Sequence, residues 1–162
     1  MKHCLKNNII IPKGNSKDDI RQRELIIRQF YQKWKVENPS QRKFNLSLKD
    51  FINIRMISIV ETSEHAAKRY LSTLAVLQLD AILTGAQTLA ITRPKKGNKN
   101  QQSFERMMIM AYPLPGIGMA KMTVGIRRLS KEKVQYCITA ISGSEIKKAP
   151  QECDVTPKSW TV

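Results

Sequence analysis

The sequence predicts an α+β fold: two main helices packed on an antiparallel sheet of about four to five strands that ends in a meander. Two stretches of helical periodicity lie between Ser16 and Leu83. Runs of alternating apolar and polar residues, separated by turn residues, follow from Gln87 to Ser142. The chain divides accordingly into an irregular N-terminal segment (1–15), one α+β domain (16–142) and a loose tail (143–162).

Each element has its own signal. In the first segment only Asn8 to Ile11 could form a short strand, before Pro12 and Gly14. Helix one starts at Ser16, with Asp19 three positions on as in a capping box. It carries Ile20, Ile27, Tyr31 and Trp34 on one stripe, with Ile26 and Phe30 beside it, and stops near Val36 before Asn38 and Pro39. Its other side shows Arg21, Arg28 and Lys35 at heptad spacing, which reads as a solvated face or as a phosphate-tracking one. A polar loop, Asn38 to Lys43, leads to a strand predicted at Phe51 to Ile59. Helix two is capped by Thr62 or Ser63, apolar almost all round from Tyr70 to Leu83 and closed by Gly85. It is expected to be the buried central helix.

The remaining strands are expected near Gln87 to Thr92, Phe104 to Pro113, Met119 to Leu129 and Val134 to Ser142. Turns fall at Pro115 to Gly118 and at Ser130 to Glu132. A three-residue last turn would pair Leu129 with Lys133, Arg127 with Gln135, Gly125 with Cys137, Thr123 with Thr139 and Lys121 with Ile141. One face would then be apolar, with Met122, Val124, Ile126, Tyr136, Ile138 and Ala140. The other would display Lys121, Thr123, Arg127, Gln135 and Thr139, either as an ordinary solvent-facing sheet or as a surface for RNA.

Charge indicates the partner. Lys and Arg outnumber Asp and Glu 28 to 13, a net charge of +15 at a pI of about 10.0. Such an excess calls for a polyanion, and nucleic acid is the first candidate, RNA before DNA. The excess lies in helix one and the loop after it, in the Arg93, Lys95, Lys96 and Lys99 loop, and at Lys121, Arg127 and Arg128, while the tail is balanced. An acidic protein is a further conceivable partner. No apolar run is long enough to span a membrane, and the basic Met1 to Lys6 start is no secretory signal. Cys4, Cys137 and Cys153 form no CxxC pair and read as reduced thiols, so a cytoplasmic location is expected.

Metal-free phosphodiester cleavage needs a base, cations for the phosphorane charge and an acid. His65 is the candidate base, with Glu61 and Glu64 beside it. A place in the first turn of helix two would favour a neutral ring, with Arg69 on the same face and Lys68 next to it. Metal-dependent cleavage asks for converging carboxylates, and Asp18, Asp19, Asp50, Glu61, Glu64, Asp80 and Glu105 show no DxD or ExK pattern. Phosphate-loop, dinucleotide and GxSxG motifs are missing, and no cofactor or metal is expected.

Ser63-Glu64-His65-Ala66, Phe104-Glu105-Arg106-Met107, Lys121-Met122-Thr123-Val124-Gly125 and Tyr136-Cys137-Ile138-Thr139-Ala140-Ile141 are similar in order to segments of the barnase, EndoU, colicin tRNase and RelE superfamily. The likeness is to its phage and conjugative-element branches, which include domains of large polyvalent proteins, and covers about residues 52–141. The resemblance implies a metal-independent, toxin-like endoribonuclease of a mobile element, with catalytic groups at His65, Arg69, Arg106, Thr123, Arg127 and Thr139. Nucleic-acid contacts would come from Arg21, Arg28, Lys35, Lys68, Arg93, Lys95, Lys96, Lys99, Lys121 and Arg128. The chain holds only fragments of the Glu-Arg-His and Lys-Arg-Tyr sets of that superfamily. The alternative is therefore a non-catalytic DNA- or RNA-binding, or protein-interaction, module of the same fold.

Overall fold

A computed structural model describes residues 10–141, which form an α+β structure with a six-stranded mixed sheet. The short N-terminal strand is not formed in the part described from Ile10 onward, and the tail from 142 lies outside the described residues. Helix α1 (Lys17–Glu37) begins where expected, the Ser16 hydroxyl accepting the Asp19 amide at 3.0 Å. Its stripe buries Ile27, Tyr31 and Trp34, and with them Arg23, which the apolar pattern gave no reason to place inside.

The polar loop after α1 closes into a hairpin of β1 (Arg42–Asn45) and β2 (Asp50–Asn53). Asn45 anchors it: its buried amide donates to the carbonyls of Leu83 and Ala86, and its side-chain oxygen accepts the Leu48 amide across the turn. The strand predicted to continue to Ile59 ends at Asn53, and helix α2 (Met56–Ala66) takes over. Alternation through Ile52 and Ile54 is real, but Ile59, Thr62, Ser63 and Ala66 form an i, i+3, i+4, i+7 stripe whose polar members are buried. A hydrophobic count does not see such a stripe.

The single central helix is likewise divided, into α2, α3 (Tyr70–Val76) and α4 (Leu79–Gly85). Arg69 adopts an extended backbone at the first break. The Thr73 hydroxyl then donates to the carbonyl of Ala66, which also accepts the Arg69 amide in the turn. The turn also lets the Ser72 hydroxyl accept the Ala140 amide at 2.9 Å, a strand donor captured by a helix side chain.

Strands β3 (Gln87–Thr92), β4 (Phe104–Leu114), β5 (Gly118–Arg127) and β6 (Lys133–Ile141) follow the predicted segments closely. The sheet order is β1-β2-β6-β5-β4-β3, antiparallel except where β2 lies parallel to β6. Four α-helices and six strands among the described residues thus replace the predicted two helices and four to five strands. Helices cover one face, where Ile27, Tyr31, Ile52, Leu79, Met110, Met122 and Ile138 have no exposed surface.

The register of the last hairpin differs from the expected one. Lys121 pairs with Thr139, Thr123 with Cys137 and Gly125 with Val134, and a bulge between Thr123 and Val124 leaves Tyr136 opposite no partner. The longer turn, 128–132, accounts for the shift, and the bulge switches sides along β6. Gln135 enters the helix-covered core, accepting from the Tyr31 hydroxyl at 2.6 Å and donating to Thr62 at 2.8 Å. Tyr136 turns to the second face, where it packs with Phe104, Met107 and Val134. Gln135 was expected on the open face and Tyr136 on the apolar one, so both assignments are corrected.

Candidate nucleic-acid interface

The strand registers define one row across the whole sheet: Arg42, Asn53, Val134, Gly125, Met107 and Thr92. Beyond this row the chain places Lys133, Arg127, Arg128, Arg106, Arg93, Lys95 and Lys96, and the Arg55 side chain reaches Glu132 of the same end, so one end of the sheet is strongly basic. Some of this charge is answered locally. Glu132 bonds both Arg55 and Arg127, Asp50 takes Lys133 at 2.7 Å, and Glu105 takes Lys131 at 2.8 Å. The Lys133 ammonium in particular holds the Asp50 carboxyl below its usual range.

Five cations surround one open basin of about 750 Å³: Arg93, Lys95, Lys96, Arg106 and Arg128. All five are exposed, and Glu105, the acid in the lining, is engaged by Lys131. The basin is built by a folded loop. Its Gln101 is buried and accepts the Lys95 amide at 2.8 Å, while Arg128 donates to the Gln102 carbonyl. Four of the predicted nucleic-acid residues and one predicted catalytic arginine therefore converge here. Arg106 pairs with Ile126 and shares the face of Met108, whereas Thr123 pairs with Cys137 on the second face.

A second cluster forms at α2. Glu61 is buried, and its carboxylate accepts from the Asn100 amide at 2.6 Å and lies 3.3 Å from His65 Nε2. Asn100 belongs to the 3-10 turn Lys99–Gln101 of the same folded loop that lines the basin. His65 sits in the last turn of α2, not the first, so the positive helix end invoked for a neutral ring is not beside it. Glu61, Glu64 and His65 bring donor atoms within 4.8 Å of one another, a convergence that the spacing of the acids did not announce and that could hold a cation. The Cys137 thiol donates to the Glu61 carbonyl at 3.8 Å, and burial pushes its pKa up to about 12, which keeps it protonated at neutral pH. Burial also raises the Tyr136 phenol.

The other predicted residues are spread out. Thr123, Thr139 and Lys121 lie half-buried on the second face, in register with Cys137 and one another. Arg127 stands at the hairpin end, bonded to Glu132 and stacked 5.3 Å from the centre of the Phe104 ring. Arg69 reaches the Ala140 carbonyl at 3.3 Å, and Lys68 is exposed in the turn before it. On α1, Arg21 and Arg28 pair with Asp18 and Glu24 of their own helix, and Lys35 is half-buried. The predicted catalytic six thus do not form one cleft: Arg106 and Thr123 occupy opposite faces, and Arg127 is engaged at the hairpin end.

Sequence reasoning missed Arg42 and Lys133, which strand register brings to the basic end, and Arg55, which reaches it through Glu132. It also passed over an exposed aromatic pair, Phe44 and Phe51. A basic residue next to an aromatic, as in Arg42-Lys43-Phe44, was the available signal.

By fold and site this is an α+β protein with a basic sheet end. Comparison with protein-family models gives no match, and comparisons with curated proteins and with solved structures give none either. Among the described residues no helix is long and apolar enough to cross a membrane.

Proposed function

We propose that this chain binds nucleic acid, RNA in preference to DNA, with phosphates seated in the basin between Arg93, Lys96, Arg106 and Arg128. The observation that carries the reading is the convergence of five exposed cations on one concavity whose acid is already engaged. Guanidinium groups suit phosphate because their paired donors match its oxygens. Binding to a single-stranded RNA, followed by fluorescence anisotropy between about 50 and 300 mM salt, should weaken with a log-log slope of about −0.7 for each phosphate neutralised. A flat response, or no binding at low salt, would sink the reading.

A second reading, a metal-independent endoribonuclease of the toxin-like, mobile-element kind, is favoured by the Glu61–His65 pair. Nε2–H directed at the Glu61 carboxylate leaves Nδ1 to accept the proton of an RNA 2′-hydroxyl. The 2′ oxygen then bonds to phosphorus, the 5′ oxygen leaves, and it recovers a proton from the imidazolium. Lys99, adjacent in sequence to the Asn100 that holds Glu61, and Lys68, close after His65 in sequence, are the candidate cations for the phosphorane charge. RNA should be cut in EDTA, and His65→Ala should slow cutting by at least about 100-fold. His65 is half-exposed, so the variant should keep its circular dichroism spectrum and melting temperature. Intact RNA across pH 5 to 9, with and without divalent metal, leaves binding as the function.

A further inference from the structure

The hairpin at the sheet's outer edge carries a feature that the basin does not use. Phe44 and Phe51 face each other across β1 and β2, their ring centres 5.4 Å apart in an edge-to-face pair, and they are 43% and 36% exposed. The Arg42 guanidinium lies over the Phe51 ring at 4.0 Å. Exposed aromatic surface is unfavourable to leave in water, and both rings keep part of theirs open beside the Arg42 guanidinium.

Their place in the sheet gives them a direction. Ile52 points into the helix-covered core, so Phe51 lies on the second face, as does Asn53 two residues on. Asn53 is in the row that runs through Val134, Gly125, Met107 and Thr92 to the edge of the basin. Neighbouring strands lie about 4.8 Å apart, so the six-stranded row spans about 24 Å. Lys133 and Arg127 stand just beyond that row, paired with Asp50 and Glu132, and Arg42 lies in the row itself beside the rings. The platform is also held rigidly, because buried Asn45 ties the hairpin to the end of α4 through two hydrogen bonds.

We propose that Phe44 and Phe51 form a base-stacking platform that makes the protein select single-stranded over double-stranded nucleic acid, the strand running from this pair along the basic sheet end to the basin. The assignment rests on the nucleic-acid reading of the basin and deepens it. Bases have apolar π-faces that stack on exposed rings, while a duplex keeps those faces occupied by its own neighbours. A cation over the same ring adds attraction for the phosphate next to a stacked base. Charge complementarity is the reason to choose a nucleic-acid strand over an apolar protein surface, against which the neighbouring Arg42 would lose its hydration without a counter-charge.

The test compares the full chain with Phe44→Ala/Phe51→Ala and Phe44→Leu/Phe51→Leu variants. The leucine variant keeps apolar cover at the hairpin if alanine unfolds it, and melting curves check both. Each is titrated with a single-stranded RNA of about ten nucleotides, the same strand without bases, and a duplex of equal length. Loss of the two rings should weaken single-strand binding by at least about 10-fold and leave duplex and base-free strand binding within about 2-fold. Wild-type affinity for the single strand in the variants would overturn the platform, as would an equal loss for all three ligands. Conversion of a self-associated wild type to a monomer with strand affinity intact would overturn it in favour of a contact between copies. Failure of the wild type to bind any of the three at low salt is distinguishable, because it defeats the basin reading itself.

Discussion

Arg23→Ala should lower the stability of the fold by about 3 kcal/mol or more, among the largest effects expected of a single substitution here. The Arg23 side chain has no exposed surface. Its Nε donates to the Ala67 carbonyl at 2.8 Å, and one terminal nitrogen donates to the carbonyls of Pro12 and Gly14, both at 2.7 Å. One cation thereby joins the segment before α1, α1 itself and the turn after α2. Alanine would leave three carbonyls without their donor and a cavity in place of the guanidinium, two costs that add. For a domain of this size the melting temperature should fall by roughly 6 to 12 °C.

The other terminal nitrogen, Nη2, is buried without a hydrogen-bond partner, which partly offsets what Arg23 contributes. Arg23→Met separates the effects, because it restores volume without donors. Buried ionic groups are sometimes replaced by apolar ones at no loss. Here the carbonyls remain, so Arg23→Met should still be destabilised by about 1 kcal/mol or more. A methionine variant as stable as the wild type would show that packing, not hydrogen bonding, is what Arg23 supplies.

The second large effect concerns the partner. Replacing Arg93, Lys96, Arg106 and Arg128 together by alanine should reduce RNA affinity by about 100-fold or more near 0.1 M salt and flatten the log-log salt slope by up to about 2.8, about 0.7 for each phosphate no longer neutralised. The four side chains are exposed, and Arg128 alone among them has a hydrogen bond described, to a loop carbonyl, so the fold should persist. The informative control removes charge elsewhere. Arg21→Ala/Arg28→Ala/Lys35→Ala takes three cations from α1, two of them already paired with acids of the same helix. This control should change affinity by only a few fold. Equal losses per charge in the two variants would mean that the net charge acts as a diffuse field and that the basin is no site.

The strands after Gln87 were legible because each keeps a clean alternation bounded by turn residues, and the α1 start was legible from the Ser16 cap. The region 54–85 was misread for a different reason. Its core positions include Glu61, Thr62 and Ser72, satisfied by partners distant in sequence, and Ser58, Ser63 and Thr73, satisfied by nearby backbone groups. Apolar periodicity cannot report a buried residue that is polar, and so the helix boundaries moved. The candidate site shows the same split. The loop from Arg93 to Lys99 was identifiable as basic, but its closure with Arg106 and Arg128 depends on buried Gln101 and on strand register.

What the sequence by itself determined is the class of fold, the cap and face of the first helix, the segments of the last four strands and the basic excess of the chain. Those properties follow from local periodicity and from composition, neither of which needs a third dimension. The tertiary structure alone decided which cations share a surface, that Arg106 and Thr123 lie on opposite faces, that His65 meets Glu61 at a helix end, and that Phe44 and Phe51 stay exposed. The physical reason is that register and bulges set sidedness. The single extra residue at Tyr136 sends Gln135 into the core and Tyr136 to the opposite face, and only the paired strands reveal it.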